Sequence, residues 1–329
     1  MKILVTAPFD SKCLSQLKSE FGDIQYCSWK EHGSAFNEDE LISLIKEHIA
    51  DGLITEVDEV SQKVINECPQ LKFIGVCRAN PVNVDVKAAT SKGIPVLTTP
   101  ARNAQAVAEL FIGNVISFMR NIVPSVEWLE GEKWSGETLG AYIKFKGNEL
   151  AGKKVGFVGF GAVGQRIANM IKHFPCEIQF YDPFVTCNEY SSVSLEELFK
   201  TSDIVSIHLP VNEKTKGLIS GDLLNSMKQD AIFVNTARSA VVDTNELLNV
   251  LKTNKIRGAI IDVFDHEPPT EVDYQIIHLS NVLATPHIAG ATEEVESHHS
   301  TIMLDNLEKW FKYKEPKNLF NRELYVSSN

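Results

Sequence analysis

The chain has 329 residues, more than one ordinary domain holds, and 43% of them are hydrophobic, so two domains with buried cores are expected. The formal net charge of −11 argues against a surface that binds nucleic acid or an anionic membrane. The six cysteines, at positions 13, 27, 68, 77, 176 and 187, form no CxxC or Cys/His cluster, so neither a disulfide framework nor a metal site is expected.

The chain begins with Met1 and enters at once a strand-like segment, Lys2–Thr6, without the basic and apolar regions of a signal peptide. None of its apolar runs is long enough to cross a bilayer. We therefore expect a cytoplasmic protein with reduced thiols, and neither a membrane nor a nucleic acid as partner.

Residues 1–100 alternate short apolar strands with amphipathic helices. The strands are predicted at Ile3–Thr6, Leu53–Thr55, Phe73–Val76 and Pro95–Leu97. Helices are predicted near 11–20, 38–49, 61–67 and 84–91, and Gly93 is placed to end the last of them. This alternation predicts an open parallel sheet with helices on its faces.

The segment after residue 100 is rich in apolar side chains. The apolar pattern predicts one long helix over Asn103–Ile122. Residues 124–152 are expected to form a loop with short helical pieces. The helix, together with Trp128 and Trp134 of the loop, holds more apolar side chains than an exposed crossover needs. We therefore expect this region to lie in an interface.

Lys153–Asp182 has the pattern of a dinucleotide-binding unit. A short apolar run typical of a buried parallel strand, Val155–Val158, is followed by a GxGxxG made by Gly159, Gly161 and Gly164. Apolar side chains then recur at helical spacing, at Val163, Ile167, Met170, Ile171 and Phe174. A second strand, Ile178–Tyr181, ends beside Asp182.

Each part of this unit has a physical role. The first glycine permits a tight turn, the second lets the backbone approach a pyrophosphate, and the third lets the helix pack on the strand. The phosphates then meet free N–H groups and the positive end of the helix dipole. Asp182 is placed to accept hydrogen bonds from the adenosine ribose and would repel a 2′-phosphate. The pattern therefore predicts a site for NAD rather than NADP.

The α/β pattern continues to the end of the chain. A capping box at Ser194–Glu197 predicts a helix start. Buried strands are predicted at Ile204–Leu209, Ala231–Asn235, Gly258–Val263 and Val282–Ala284. From Thr292, a closing helix is predicted by the spacing of Val295, Ile302, Leu304, Leu307 and Phe311.

The nucleotide unit lies in the middle of the chain, which predicts one domain inserted into another. We place a discontinuous substrate domain at 1–100 and 291–329, and the nucleotide domain at 101–290. The predicted fold is α/β, with two doubly wound parallel-sheet domains and an interdomain cleft that the carboxyl ends of the strands face.

Three polar side chains follow successive strands of the predicted nucleotide domain. Arg238, Glu267 and His287 should therefore converge at one edge of the sheet. A guanidinium binds a carboxylate bidentately, an imidazole exchanges a proton near neutral pH, and a carboxylate bonded to that imidazole orients it. Taken singly, these would be an exposed Arg, a solvated Glu and a core His. Together, beside a cofactor site, they predict reduction of a 2-oxo acid.

The segments around these side chains carry a family resemblance. Asn235–Arg238, Asp262–Pro268 and Thr285–Gly290 read NTAR, DVFDHEP and TPHIAG. They resemble the signatures of the D-isomer-specific 2-hydroxyacid dehydrogenases, and the likeness runs from about residue 71 to residue 312. The resemblance implies a flavodoxin-like substrate domain, an inserted Rossmann domain that binds NAD, and hydride transfer between the nicotinamide and C2 of a small D-2-hydroxy or 2-oxo acid.

The resemblance also implies roles for single residues. Arg238 would bind the substrate carboxylate and polarise the carbonyl, His287 would be the acid/base, and Glu267 would be its partner. The positions that match the family's cofactor contacts are Ala162, Val163, Asp182, Pro210, Thr236, Ala237 and Asp262, with His287 and Gly290 beside the nicotinamide. The expected set of cofactor-binding residues also contains His208, which lies near the end of a predicted strand, and Arg238, Gly159, Gly161 and Gly164.

Substrate binding is expected from Arg238 and from the loop Arg78, Ala79, Asn80 and Pro81. Relatives usually carry a glycine-containing loop here that binds the substrate carboxylate through backbone N–H groups. Pro81 removes one donor, and Asn80 adds an amide that both donates and accepts. Arg78 and Arg102 could bind a second anion, or both could pair with local acids. A substrate of the hydroxypyruvate or 3-phosphoglycerate kind is expected, with hydroxypyruvate or a longer hydroxylated 2-oxo acid preferred to pyruvate.

Other interpretations stay open. The family includes C-terminal binding protein corepressors, which keep the Arg, Glu and His, so an NAD(H)-sensing scaffold is the alternative, although this chain has no disordered Pro/Ser-rich tail. The resemblance further implies a homodimer built around the region formed by Asn103–Ile122 and the loop that carries Trp128 and Trp134. Nothing after residue 312 resembles the regulatory extension of some phosphoglycerate dehydrogenases, so we expect no regulatory domain.

The remaining histidines and Cys77 are interpreted as structural or solvated. His266 is expected to be solvated and without a partner, although it adjoins Glu267. His298 and His299 are neighbours in sequence and do not share a helix face, so a metal pair there is not expected. Cys77 is interpreted as a buried strand cysteine rather than a reactive thiol.

Overall fold

A computed structural model describes residues 1–136, 138–313, 315 and 317–326. The chain divides into two compact units, Met1–Asn103 with Thr292–Asn329, and Ala104–Ala291. Within the described ranges, no single helix has the length and apolar composition needed to cross a membrane. The helices Ala104–Met119 and Ile122–Glu130 meet that test only as a pair, bent by 63°.

The first unit is built on a five-stranded parallel sheet. Its strands are β1 (Lys2–Val5), β2 (Asp23–Tyr26), β3 (Gly52–Thr55), β4 (Ile74–Val76) and β5 (Val96–Thr98), in the order β2-β1-β3-β4-β5. The helices between them are α1 (Ser11–Phe21), α2 (Trp29–His32), α3 (Glu38–Glu47), α4 (Gln62–Glu67) and α5 (Val86–Ser91). Every strand pair is parallel, so all five strands end at the same edge of the sheet.

Both faces of this sheet are covered. On β1, Leu4 packs into one apolar cluster while Ile3 and Val5 pack into another, because successive side chains of a strand point to opposite faces. Strand β2 was absent from the predicted set. It is an edge strand whose residues alternate between exposed and half-buried, so it lacks the apolar run by which the other strands were recognised.

The second unit begins with helices α6 (Ala104–Met119), α7 (Ile122–Glu130) and α8 (Thr138–Lys144). The prediction of one helix over Asn103–Ile122 is wrong at its end. Asn121 adopts a left-handed conformation, with φ of 53°, so the helix stops at Met119 and the chain turns before α7 begins. An Asn tolerates this conformation better than most side chains.

A seven-stranded parallel sheet forms the rest of the second unit, in the order β12-β11-β10-β9-β6-β7-β8. The strands are β6 (Lys154–Val158), β7 (Glu177–Tyr181), β8 (Ser191–Ser192), β9 (Ile204–Ile207), β10 (Ile232–Asn235), β11 (Gly258–Ile261) and β12 (Val282–Ala284). The helices are α9 (Ala162–Ile171), α10 (Leu195–Thr201), α11 (Gly221–Ser226), α12 (Thr244–Lys252) and α13 (Glu271–Ile277), with a short 3-10 turn at Ser239–Val241.

The chain then returns to the first unit through α14 (Glu294–Glu308), a π-helical turn at Lys309–Tyr313 and α15 (Glu323–Val326). Met303, Leu304 and Leu307 of α14 pack in the same apolar cluster as Ile3 and Val5. Two parallel sheets covered by helices confirm the predicted α/β fold class.

Candidate active site

The glycine turn between β6 and α9 has the backbone that the motif predicts. Gly159 has φ of 89°, and a Cβ there would lie 2.6 Å from the carbonyl oxygen of His208. A Cβ on Gly164 would lie 2.7 Å from the carbonyl oxygen of Gly159, so the start of α9 packs directly on the turn. A Cβ on Gly161 would meet no atom within 4 Å. Only the middle glycine therefore leaves open space, where a ligand can approach the backbone.

The residues at the end of this turn fit a dinucleotide. Gly161 is the N-cap of α9 and provides no side-chain cap, so the N–H groups of the first turn, at Ala162 and Val163, are available to an anion. Thr236, directly after β10, has a buried hydroxyl with no hydrogen-bond partner in the described part of the chain. Both observations suit a polar ligand lying across the ends of β6 and β10.

Asp182 connects the glycine turn to the end of β7. Its Oδ2 accepts a hydrogen bond from the backbone N–H of Phe160 at 2.8 Å, and its Oδ1 accepts one from Phe184 at 2.8 Å. A carboxylate has about four acceptor positions, so two stay available for ribose hydroxyls.

His208 lies close to the same turn, but its ring is directed into the core. The ring lies 5.8 Å from that of Phe157 and 6.5 Å from that of Phe111, and Nε2 forms a 2.8 Å hydrogen bond with Ser206 Oγ. Burial lowers the pKa of His208 to about 3, so the imidazole is neutral. The backbone of His208 therefore adjoins the predicted cofactor turn, while its side chain packs with aromatic residues.

Arg238 follows β10 on a turn that Asn235 holds. The buried Asn235 side chain accepts from the N–H of Ala237 at 3.0 Å and donates to the carbonyl of Arg238 at 2.9 Å. The guanidinium of Arg238 donates through Nη1 to the carbonyl of Ala237 at 2.6 Å. The backbone of Arg238 is thus fixed by an amide whose role the sequence did not reveal.

Glu267 and His287 form a hydrogen-bonded pair. His287 Nδ1 lies 2.6 Å from Glu267 Oε2, and the other carboxylate oxygen accepts from the backbone N–H of Phe264 at 3.2 Å. The side chain of His287 is 44% exposed and that of Glu267 is 40% exposed, so a small molecule can reach them. Nε2, the second ring nitrogen of His287, forms no hydrogen bond to any other described residue. The pair therefore presents one imidazole nitrogen for chemistry while a carboxylate holds the other.

Asp262 holds the loop that carries His287. Its carboxylate accepts from the hydroxyl of Thr285 at 2.6 Å and from the N–H groups of Ile288 at 2.9 Å and Ala289 at 2.8 Å. Asp262 is fully buried, and His287 between these partners has φ of 52°, a left-handed conformation that costs free energy for a non-glycine residue. We infer that these hydrogen bonds keep the loop in this conformation. The assignment of Asp262 to the cofactor stays a prediction.

Pro210, Ala237 and Gly290 complete the predicted cofactor set. Pro210 accepts a 2.6 Å hydrogen bond from the hydroxyl of Thr215 through its carbonyl. Gly290 follows the loop held by Asp262 and is half-buried.

The predicted substrate loop lies in the first unit, after β4. The carbonyl of Arg78 accepts from the N–H of Thr99 at 2.9 Å, and that of Pro81 accepts from Val84 at 3.0 Å. Ala79 and Asn80 between them are exposed. The loop is thus fixed at both ends and presents the amide of Asn80 to solvent.

Three side chains outside the predicted site have defined surroundings. Arg102 Nη1 lies 2.5 Å from Glu56 Oε1, so this arginine pairs with a local acid instead of being available for a second anion. The prediction that His266 has no partner is wrong, because its Nδ1 lies 3.0 Å from Asp273 Oδ2. Cys77 is fully buried, as predicted, but it lies directly after β4 and not within the strand, and burial raises the pKa of its thiol.

Comparison with known proteins identifies the family. Residues 112–289 match the model of the D-isomer specific 2-hydroxyacid dehydrogenase, NAD binding domain. The chain belongs to the D-isomer-specific 2-hydroxyacid dehydrogenases. YoaD of Bacillus subtilis (strain 168), provisionally named a 2-hydroxyacid dehydrogenase, is 56% identical over 94% of this chain and 91% of its own length.

Two further relatives of this dehydrogenase have more specific names. Hydroxypyruvate reductase of Thermotoga maritima is 35% identical over 94% of this chain and 97% of its own length. The structure of NAD⁺-bound 3-phosphoglycerate dehydrogenase of Entamoeba histolytica has a TM-score of 0.74 and 26% identity, covering 98% of each chain. This dehydrogenase is an NAD-dependent oxidoreductase that acts on the CH–OH group of small 2-hydroxy acids, or on the matching 2-oxo acids.

Proposed function

We propose that this dehydrogenase reduces small 2-oxo acids that carry hydroxyl groups, hydroxypyruvate being the smallest, to D-2-hydroxy acids with NADH. The 2.6 Å hydrogen bond between Glu267 and His287 is the observation that carries the proposal, because it couples an accessible imidazole to a carboxylate. Arg238 follows β10, Glu267 follows β11 and His287 follows β12, three adjacent strands of one sheet. The Thermotoga maritima relative, a hydroxypyruvate reductase, supports the same substrate class.

Arg238 would bind the carboxylate of the substrate. Its guanidinium now donates to the carbonyl of Ala237, a neutral acceptor that a substrate carboxylate would outcompete. A bidentate guanidinium–carboxylate pair fixes the plane of the 2-oxo acid as well as its position. The turn held by Asn235 keeps the arginine backbone in place for this contact.

His287 would supply the proton. NADH, when bound, would supply the hydride for C2. The protonated imidazole would donate Nε2–H to the carbonyl oxygen as negative charge develops there. Glu267 accepts Nδ1–H throughout, so it orients the ring. The ring then regains a proton from solvent, to which it is exposed. A scaffold that only senses NAD(H) would bind the cofactor without this turnover.

We expect Asp182 to set the cofactor preference. The carboxylate should accept from the ribose diol of NADH and repel the 2′-phosphate of NADPH, so NADH should give the higher kcat/KM. Replacing Asp182 with alanine should narrow that ratio, and steady-state kinetics with both cofactors measures it. Asp203→Ala is the matched control, since this carboxylate bonds Lys154 and Lys228 elsewhere on the unit. Equal use of both cofactors by the unmutated enzyme would contradict the role of Asp182.

We expect Asn80 to contribute to substrate choice. An exposed amide both donates and accepts, so it suits a hydroxyl at C3 of the substrate. The unmutated enzyme should therefore reduce hydroxypyruvate with a higher kcat/KM than pyruvate, and Asn80→Ala should lower that ratio. Asn83→Ala is unsuitable as a control because its side chain bonds the carbonyl of Asp58, so Lys87→Ala on α5 is preferred. The idea fails if the two acids are reduced equally well before mutation.

We also propose that the enzyme is a homodimer joined through α7, α8 and the segment between them. These elements expose a row of large apolar side chains: Ile122, Val126, Leu129, Trp134, Leu139, Tyr142 and Ile143. Exposed large apolar side chains in such number are typical of a protein–protein interface, and twofold symmetry is the commonest arrangement. Light scattering at micromolar concentration should give twice the mass of the chain, and Leu129→Glu with Ile143→Glu should give the monomer. A monomer before mutation would count against the dimer.

A further inference from the structure

Gln165, which lies outside the predicted set of cofactor residues, bonds the backbone of the glycine turn. It is an exposed residue near the start of α9, four positions after the N-cap Gly161. Its Nε2 donates a 2.8 Å hydrogen bond to the backbone carbonyl of Phe160, the residue between the first two glycines of the motif. The side chain of Gln165 therefore reaches back from the helix to the loop at which the cofactor is expected.

The backbone of Phe160 is held by a side chain on each side. Its N–H donates to Asp182 Oδ2 at 2.8 Å, and its carbonyl accepts from Gln165 Nε2 at 2.8 Å. Its ring is fully buried and stacks on Phe180, with the ring centroids 4.2 Å apart. The bond to Asp182 fixes the peptide group before Phe160. The bond from Gln165 fixes the peptide group after it, which connects Phe160 to Gly161.

The peptide group between Phe160 and Gly161 has little steric restraint. A Cβ on Gly161 would meet no atom within 4 Å, and glycine accepts a wider range of backbone conformations than other residues. Gly159 and Gly164 differ, because a Cβ on either would lie 2.6 or 2.7 Å from a carbonyl oxygen. Neighbouring atoms therefore do not prevent this peptide group from rotating. Among the described contacts, the hydrogen bond from Gln165 sets the orientation of its carbonyl.

The orientation of this peptide group matters for a bound anion. The carbonyl and the N–H of a trans peptide group point in opposite directions, so a bond that holds the Phe160 carbonyl also sets the direction of the Gly161 N–H. The pyrophosphate of a dinucleotide is held by backbone N–H groups and by the positive end of a helix dipole. A carbonyl oxygen carries partial negative charge, so a carbonyl turned toward the phosphates would repel them.

We propose that Gln165 is a positioning residue of the cofactor site, which holds the Phe160 carbonyl away from the pyrophosphate and thereby keeps the glycine turn in its binding orientation. This inference rests on the part of the proposed function that places NADH at the glycine turn, and not on the identity of the 2-oxo acid. The amide of Gln165 acts as a donor, which neither a thioether nor a carboxylate can replace.

Binding of cofactor fragments, without any 2-oxo acid, tests the proposal. Gln165→Met keeps an unbranched side chain of similar length but removes the donor. The Kd of ADP-ribose, which contains the pyrophosphate, should rise by about three- to tenfold, the range expected for one lost hydrogen bond. Adenosine, which has the ribose but no phosphate, should bind both proteins equally. Isothermal titration calorimetry measures ADP-ribose binding, and an NMR titration measures adenosine binding.

A charged variant separates positioning from stability. In Gln165→Glu the carboxylate cannot donate to the Phe160 carbonyl and adds negative charge near the phosphates, so ADP-ribose should bind more weakly than to Gln165→Met. Negative charge near the N-terminus of a helix does not destabilise it, so the Tm should not fall. Asn169→Ala, which removes an exposed amide one turn further along α9, is the matched control, with unchanged binding of both ligands.

The results for the two ligands distinguish this inference from the proposed function. If the unmutated enzyme bound neither NADH nor ADP-ribose, the proposed cofactor site would fail. If it bound ADP-ribose and a folded Gln165→Met bound it as tightly, only the role of Gln165 would fail. An equal loss of adenosine and ADP-ribose binding would also overturn that role, because a general disturbance of the unit weakens both. Circular dichroism verifies folding, and Gln165→Ala, with a strong helix former at this exposed position, repeats the test.

Discussion

Replacing His287 with alanine should lower the rate of 2-oxo acid reduction by about 10²–10⁴-fold, the usual contribution of a positioned general acid. The loss is expected because the alkoxide that forms at C2 would have to take its proton from water. Single-turnover oxidation of NADH with hydroxypyruvate measures the chemical step directly. The neighbouring pair of His266 and Asp273, 3.0 Å apart, offers a matched control. His266→Ala removes an exposed imidazole bonded to a carboxylate and should leave the rate within about twofold, because His266 has no proposed catalytic role.

The partner carboxylate gives the same prediction a second readout. Glu267→Gln removes the carboxylate that lies 2.6 Å from the ring, so the imidazole loses the charged partner that orients it and the chemical step should slow. NADH binding, followed by fluorescence, should persist in this variant. An unchanged rate of the chemical step in Glu267→Gln, or full activity in His287→Ala, would contradict the assignment of the acid.

The second large effect is expected at Arg238. Arg238→Lys keeps the charge but loses the fork that binds a carboxylate through two parallel hydrogen bonds. Hydrogen bonds to charged groups contribute about 1.5–3 kcal/mol, so kcat/KM should fall by roughly 10–100-fold, and by more in Arg238→Ala. Arg120→Lys, at an exposed arginine of the same unit, is the control.

Whether the Arg238 variants lose kcat, gain KM or both indicates what the arginine does. A lower kcat together with a higher KM would indicate that Arg238 both binds the carboxylate and polarises the carbonyl. Retention of the original KM and kcat in Arg238→Ala would show that another group binds the substrate carboxylate. Arg78, in the predicted substrate loop of the first unit, would then be the next arginine to replace.

The fold was largely predictable because most strands of the two sheets are short apolar runs. Strand β3 is buried at every residue and β6 at all but its first, and both were recognised by composition. Strand β2 was missed since an edge strand with alternating exposure has no such run. The break after Met119 was missed for a different reason. The apolar spacing continues through Asn121, and only the left-handed backbone at that residue separates α6 from α7.

The sequence predicts the position of those site residues that directly follow a strand. Arg238, Glu267 and His287 each follow a parallel strand, so their location at one edge of the sheet follows from the topology. The buried polar contacts that support them could not be predicted in the same way. Asp262 and Ala289 are 27 residues apart, and an acid after a buried strand is equally compatible with binding a cofactor.

The ion pair of Glu56 and Arg102 in the first unit was also not predictable from local sequence. Glu56 and Arg102 are 46 residues apart, and the imidazole that touches the arginine comes from a helix near the other end of the chain. Such contacts depend on how α14 packs against the sheet, which the local pattern of apolar residues does not encode. Sequence reasoning could therefore state only that Arg102 binds either an anion or a local acid, and the structure decides for the acid.

We propose that this dehydrogenase reduces a hydroxylated 2-oxo acid to the D-2-hydroxy acid with NADH. Incubation with hydroxypyruvate and NADH, followed by chiral chromatography, identifies the product. We predict D-glycerate in the same amount as the NADH oxidised, and much less product when His287→Ala replaces the unmutated enzyme. Formation of L-glycerate, or no oxidation of NADH with hydroxypyruvate, would contradict it.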